Sequence, residues 1–103
     1  MTREVLWSRD ALDDVKQIAD YIATDNPDAA RRVSAAIRMT GHDLGIMPLG
    51  RPGRVAGTYE RVMRGLPYII AYAIQSLPRG DQAIVILRVI HGARDWPPEK
   101  WPD

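Results

Sequence analysis

Residues 66–96 read LPYIIAYAIQSLPRGDQAIVILRVIHGARDW. Two apolar runs, Tyr68 to Ile74 and Ala83 to Ile90, are rich in Ile, Val and Tyr and flank the turn-forming segment Ser76 to Asp81. This is the pattern of an antiparallel hairpin. Both runs are apolar at successive as well as alternate positions. A strand covered on one face alternates, so these two are expected to bury both faces and to lie in the middle of a sheet. Arg88 falls inside this dry context, and His91, Gly92, Ala93, Arg94 and Asp95 close the second run. Charges gathered where a buried strand ends are placed to form a site.

Upstream of the hairpin, Thr58 to Met63 alternates Tyr59, Arg61 and Met63 with Glu60 and Val62, the period of a half-exposed strand, and Arg64-Gly65 turns it into the hairpin. Before it, GIMPLGRPGRVAG (Gly45 to Gly57) has the glycine and proline density of a loop, with Ile46 and Met47 expected to tuck under as an anchor. The spacing around Gly50 to Arg54 is wrong for a phosphate loop. A short Gly/Pro loop has no packing need for arginine, and burying the guanidinium unpaired is costly, so Arg51 and Arg54 are expected to contact a partner.

Two helices precede the loop. Ser8 is a good N-cap before Asp10, and Leu12, Val15, Ile18, Ala19 and Ile22 form an apolar stripe from about Arg9 to Ala23. Asn26, Pro27 and Asp28 start the second helix, which runs to about Leu44 and is expected to end near Gly45. So few residues separate the two that they must fold back as a hairpin, with Ala29, Ala30, Ala35 and Ala36 permitting close approach. Glu4 to Trp7 is a short strand.

A chain of 103 residues with 46% hydrophobic and 26% charged residues is one domain of ordinary globular composition, 1–103, carrying a Pro/Trp-rich tail at 95–103. The absence of cysteine excludes disulfides and thiol nucleophiles. His42 and His91 are far apart in sequence, so neither a metal nor another cofactor is expected. No apolar run approaches the roughly 20 residues of a membrane helix. MTREVLW lacks the apolar block of a signal peptide, so a cytoplasmic location without membrane contact is expected.

The net charge of +1 conceals a split. Residues 1–30 hold three cations against seven carboxylates, and residues 31–64 hold seven arginines against Asp43 and Glu60. Arginine presents a planar fork suited to carboxylates and phosphates, so the basic stretch suits an acidic protein or a nucleic acid.

Five pieces in this order, SRDALDDVKQIADYIA, NPDAARR, GIMPLGRPGR, ERVMRGLPYIIAY and IVILRVIHGARDW, resemble the toxins of bacterial type II toxin–antitoxin modules in the RelE/ParE family, closer to the ParE branch. The resemblance spans Val5 to Trp96. It implies an α+β fold, β-α-α-β-β-β, with a helical hairpin packed on a mainly antiparallel sheet. It also implies a growth-inhibiting protein, associated with plasmid stabilization, that a cognate ParD-like antitoxin wraps and neutralises. ParE-like members block DNA gyrase without a known catalytic set, whereas RelE-like members cut messenger RNA on the ribosome. A toxin-like subunit that serves only as co-repressor is a further alternative, and DNA is reached only through the antitoxin.

Cleavage through the RNA 2′-hydroxyl needs a base, an acid and cations for the charge developing on phosphorus. Arg61 and Arg88 correspond in position to arginines that matter in the ribonuclease branch, and His91 is the proton shuttle available nearby. Tyr59 and Glu60 point to opposite faces of one strand. The lysines common in that branch are absent, since nothing from Gln17 to Glu99 is a lysine. Binding of a target through Arg51, Arg54, Arg61, Arg64, Arg88, His91 and Arg94 is therefore the leading expectation. Beside it stands a structural reading, in which Arg88 pairs with a carboxylate such as Glu60 and His91 bonds a loop carbonyl. An amphipathic antitoxin segment seeks an apolar groove, for which Tyr21, Ile22 and Ile37 on the outer faces of the helices are candidates, with a place in the core as the alternative for the same three residues.

Overall fold

The computed structural model describes residues 2–92; the tail with Trp96 and Trp101, and Arg94, lie outside them. The elements follow the order β1 (Glu4–Trp7), α1 (Arg9–Ala23), α2 (Pro27–Ile46), β2 (Arg51–Pro52), β3 (Tyr59–Val62), β4 (Tyr68–Ser76) and β5 (Gln82–His91). In the sheet the order is β1-β5-β4-β3-β2, with β1 parallel to β5 and every other pairing antiparallel. This is the expected α+β arrangement, with one two-residue strand added inside the Gly/Pro loop.

The hairpin is central as its apolar runs require. Ile69, Ile70, Ala71 and Tyr72 are buried in succession on β4, and Ala83, Ile84, Ile86, Val89 and Ile90 on β5. Its turn carries Pro78, and the Gly80 N–H donates to the Leu77 carbonyl at 2.9 Å. Gly80 takes a φ of 93°, a left-handed conformation that favours glycine. One residue spoils the ladder: Ala71 pairs with Arg88 but Tyr72 pairs with Ile86, so Leu87 is the extra residue of a β-bulge.

Both helix starts are capped as the sequence demands. The Ala11 N–H donates to Ser8 Oγ and the Ala29 N–H to Asn26 Oδ1, each at 3.0 Å. From α1, Ala11 and Val15 enter the core, while Leu12, expected in the apolar stripe, is exposed. α2 buries Ala30, Ile37, Gly41, Leu44 and Gly45, a single helical stripe.

The helix ends within one residue of Gly45, as expected. A Cβ on Gly45 would lie 2.5 Å from the Arg3 carbonyl oxygen, and one on Gly41 would lie 2.5 Å from Trp7 Cζ2. These glycines are small because α2 lies flat against β1, and the helix runs one residue further to Ile46. The close approach to β1 falls on Gly41 and Gly45; of the four alanines, Ala30 is buried, Ala29 and Ala36 are half-buried and Ala35 is exposed.

Candidate functional site

Arginine and histidine side chains gather around β3 and the ends of β4 and β5, but they are not equivalent. Arg88 is held by α1. Its Nε and Nη2 donate to Asp14 Oδ2 and Oδ1 at 2.7 and 3.0 Å, and the Val89 N–H donates to Asp14 Oδ2 at 2.9 Å. β1 pairs with β5 only as far as Ile86, so beyond it the bulge leaves backbone groups of β5 without a neighbouring strand. Asp14 and Ser8 supply what the strand would have given: Ser8 Oγ donates to the Leu87 carbonyl at 2.9 Å. The side-chain bond from Asp14 raises the Arg88 pKa above its ordinary value against the opposing effect of burial, with the Asp14 and Asp10 charges adding to the rise. The partner is Asp14, not Glu60.

Glu60 serves the loop instead. It is 4% exposed, and its oxygens accept from Arg51 Nη2 at 3.2 Å, Arg54 Nε at 3.0 Å and the Arg54 backbone N–H at 3.1 Å. Burial pushes this carboxyl's pKa up. The bonds from the Arg54 side chain and backbone and from Arg51, with the Arg54 charge, outweigh it and leave the pKa below the ordinary value. The expectation that the loop has no internal need for Arg51 and Arg54 is therefore corrected: a buried carboxylate needs both. Arg51 is still 59% exposed at its side chain, so one donor fork reaches solvent.

Arg61 differs from these three. It makes no ion pair among the described residues and lines a groove of about 270 Å³ with Thr40, Asp43, Leu44, Ile46, Met47 and Leu49. The groove runs between the last turns of α2 and β3. Tyr72 stands beside it, stacked on Tyr59 at 5.6 Å and donating from its hydroxyl to the Leu49 carbonyl at 3.0 Å. Burial and the neighbouring Tyr59 raise the Tyr72 pKa, with the Arg61 charge acting against them. Gly50 lets the loop pass close by, since a Cβ there would lie 2.9 Å from both the Tyr72 hydroxyl and the Glu60 carbonyl oxygen. Ile46, Met47 and Leu49 are 48–59% exposed, so Ile46 and Met47 are not a buried anchor. They form the apolar wall of the groove, which the sequence reading missed. The signal was available in Ile-Met-Pro-Leu, four apolar residues at the mouth of a loop.

Arg64 is exposed in the β3–β4 turn. His91 pairs with Tyr68 in the ladder and meets its ring edge-on at 5.7 Å. The ladder sets Arg61, Ile70 and Val89 in one row across β3, β4 and β5, and Glu60, Ala71 and Arg88 in the next. Arg61 and Arg88 thus lie two strands apart, roughly 10 Å at ordinary strand spacing.

The residues expected to meet an antitoxin are dispersed. Tyr21 is 82% exposed, Ile22 is partly buried and Ile37 is 0% exposed. Ile37 is a core residue, as its place in the apolar pattern of α2 also allowed, and is withdrawn as a contact. Among the described residues no group of three or more His, Cys, Asp or Glu converges to hold a metal, and no helix is long and apolar enough to cross a membrane.

A helical hairpin on a sheet whose first strand runs parallel to its last, with arginines along the following strands and an open groove at the end of the second helix, is the build of a RelE/ParE-type toxin. The family model of the ParE toxin of the type II toxin–antitoxin system parDE matches residues 5–96, and the chain belongs to this family. A putative toxin, Y4kP, of Sinorhizobium fredii is 38% identical over 96 residues, covering 92% of this chain and 94% of that protein. Toxin RelE2 of Caulobacter vibrioides is 32% identical over 92 residues, covering 88% and 97%. Of solved structures, the chromosomal ParDE system from P. aeruginosa superposes with a TM-score of 0.76 at 23% identity, covering 87% of this chain and 96% of that one. The RelBE2 toxin–antitoxin complex from Mycobacterium tuberculosis gives 0.63 at 29%, covering 88% and 99%.

Proposed function

We propose that this toxin arrests growth by binding a large protein target, DNA gyrase, rather than by cutting messenger RNA, and that a cognate ParD-like antitoxin neutralises it in the cytoplasm. The observation that carries the reading is the Asp14–Arg88 pair. A guanidinium holding a developing phosphorane must offer free donors, whereas Arg88 spends Nε and Nη2 on a carboxylate of its own chain. No lysine stands between Gln17 and Glu99 to replace it. A contact surface has no such requirement. The exposed fork of Arg51, the turn residue Arg64 and the half-buried Arg61 suffice for recognition of an acidic protein face.

Gyrase supercoiling and ribosome-dependent messenger cleavage, run side by side with the purified chain, test this. Loss of supercoiling with uncut message is the expected result, restored by the antitoxin.

Cleavage is the second reading, favoured by one feature: Arg61 makes no ion pair among the described residues and is on the strand row of Val89, two residues from His91. Under it, primer extension on translated messages shows cuts that disappear in His91→Ala. A co-repressor without toxicity would bind the antitoxin tightly and leave growth unaffected.

A further inference from the structure

We infer that residues 93–103 fold back over the face of the sheet opposite the helices, with the Trp96 indole seated on Ile69 and Ile90. The chain then carries its own strap across that face, whatever its target is.

Alternation along the strands divides the sheet into two faces. Ile70, Tyr72, Ile84 and Ile86 belong to the cluster that holds Val15 and Ile37 of the helices. Ile69, Ala71, Ala83 and Ile90 are buried too, at 0–6% exposure, but stand outside that cluster. Among the described residues no helix or strand is stacked on their face, and the loop that folds over Glu60 reaches only its β3 side. A strand that is apolar on both sides is covered on both, so Ile69 and Ile90 call for a cover.

The end of β5 shows where that cover comes from. Ile69 pairs with Ile90 and Tyr68 with His91, and the Gly92 N–H donates to the Pro67 carbonyl at 2.6 Å. A Cβ on Gly92 would lie 3.5 Å from Ile69 Cδ1, so the chain leaves the hairpin beside this side chain, on the outer face. Trp96 follows four residues later. Four residues reach at most roughly 13 Å, and the step from Ile90 to Ile69 is about 5 Å, so the indole can be laid on both. A segment tethered this closely acts at an effective concentration of roughly millimolar, which favours it over a second copy or a separate protein.

Composition fits the same placement. Pro97 and Pro98 lack the N–H that a further strand would donate and favour an extended chain, so the segment lies on the face rather than along an edge. Asp95, Glu99 and Asp103 outnumber Arg94 and Lys100, and the β3 side toward which the segment runs carries Arg64 and the exposed fork of Arg51.

The chain has no cysteine, so one introduced thiol reports on one position. The test uses the full chain and compares neighbours on opposite faces, Ile69→Cys and Ile70→Cys, each with and without Trp96→Ala, by their rates of reaction with a soluble disulfide reagent. Ile69→Cys is expected to react slowly. Trp96→Ala is expected to speed it roughly tenfold or more and to leave Ile70→Cys unchanged, because only the cover of the outer face opens. Ile90→Cys and Val89→Cys repeat the comparison on β5, so the result does not rest on the folding of one variant.

Fast reaction of Ile69→Cys and Ile90→Cys in the otherwise unaltered chain overturns the inference, since the face then has no cover. Equal acceleration on both faces also overturns it, because Trp96→Ala then merely loosens the whole fold. Protection that survives Trp96→Ala, or that weakens on dilution, assigns the cover to another group or to a second copy and overturns it as well.

Discussion

Asp14 and Arg88, 74 residues apart in sequence, form a two-point ion pair at 2.7 and 3.0 Å that fastens α1 to the bulged part of β5. The same carboxylate takes the Val89 N–H, so one side chain does the work of a missing neighbouring strand. An interaction of this kind is worth more when broken than when made, because removing one partner leaves the other's charge and a backbone donor buried.

Asp14→Ala is therefore expected to destabilise the fold by about 3 kcal/mol. Urea unfolding should show a lower midpoint with an unchanged slope. In a double-mutant cycle with Arg88→Ala, the two losses should fall short of additivity by about 2 kcal/mol. Additive losses would mean that the pair does not act as a unit.

Glu60 makes the fold sensitive to acid. Its pKa in the folded chain is below the ordinary 4.5, so folding is favoured by ionisation. The associated stability is fully present above that ordinary value and is lost as the pH falls through the lower folded value. Glu60→Gln is expected to cost about 2 kcal/mol at neutral pH, leaving Arg51 and Arg54 without their counter-charge. The gap between variant and wild type should close at acid pH, when the wild-type carboxyl is itself protonated. Thermal unfolding across the pH range reads both effects.

Gly41 is the point where α2 rests on the indole of Trp7. Alanine is a better helix former by about 1 kcal/mol, yet its Cβ would sit 2.5 Å from Trp7 Cζ2 and 2.8 Å from Ile86 Cδ1. Ile86 belongs to the buried core and Trp7, partly buried, packs against it. Overpacking is expected to win, with a net loss of about 1–2 kcal/mol in Gly41→Ala. A gain in melting temperature would show that the indole can move away freely.

Ile37 and Tyr21 separate packing from contact. Ile37→Ala, at a fully buried position, is expected to lower stability by about 3 kcal/mol and to weaken every interaction only through unfolding. Tyr21→Ala, at an exposed position, is expected to leave stability within about 0.5 kcal/mol. Chemical unfolding of the two variants checks this.

The elements of the fold were legible because local rules set them. Ser8 and Asn26 start the helices by accepting bonds from residues three positions on, Pro27 fits the first helical position, and the apolar runs around Pro78 to Gly80 leave little choice but a buried hairpin. What escaped the sequence reading was decided at long range. Asp14 looks like its neighbours Asp10 and Asp13 on the polar side of α1, and only the bulge at Leu87 makes it different. Glu60 alternates as an outward residue should, until the loop folds over and Arg51 and Arg54 converge on it. Gly45 marks the helix end as read from the sequence, but its close packing against the Arg3 carbonyl, where a Cβ would lie 2.5 Å from the oxygen, is a long-range contact that the local pattern does not show. The groove escaped for a different reason. Ile46, Met47 and Leu49 look like core in sequence, and their exposure follows from where α2 happens to end.

The measurement that bears most directly on the account is the paired assay of the purified chain against gyrase supercoiling and against a translating ribosome. The account predicts that supercoiling is blocked, that the block is relieved by the antitoxin, and that messages stay intact. Messages cut in the wild type and spared in His91→Ala, with gyrase unaffected, would contradict it.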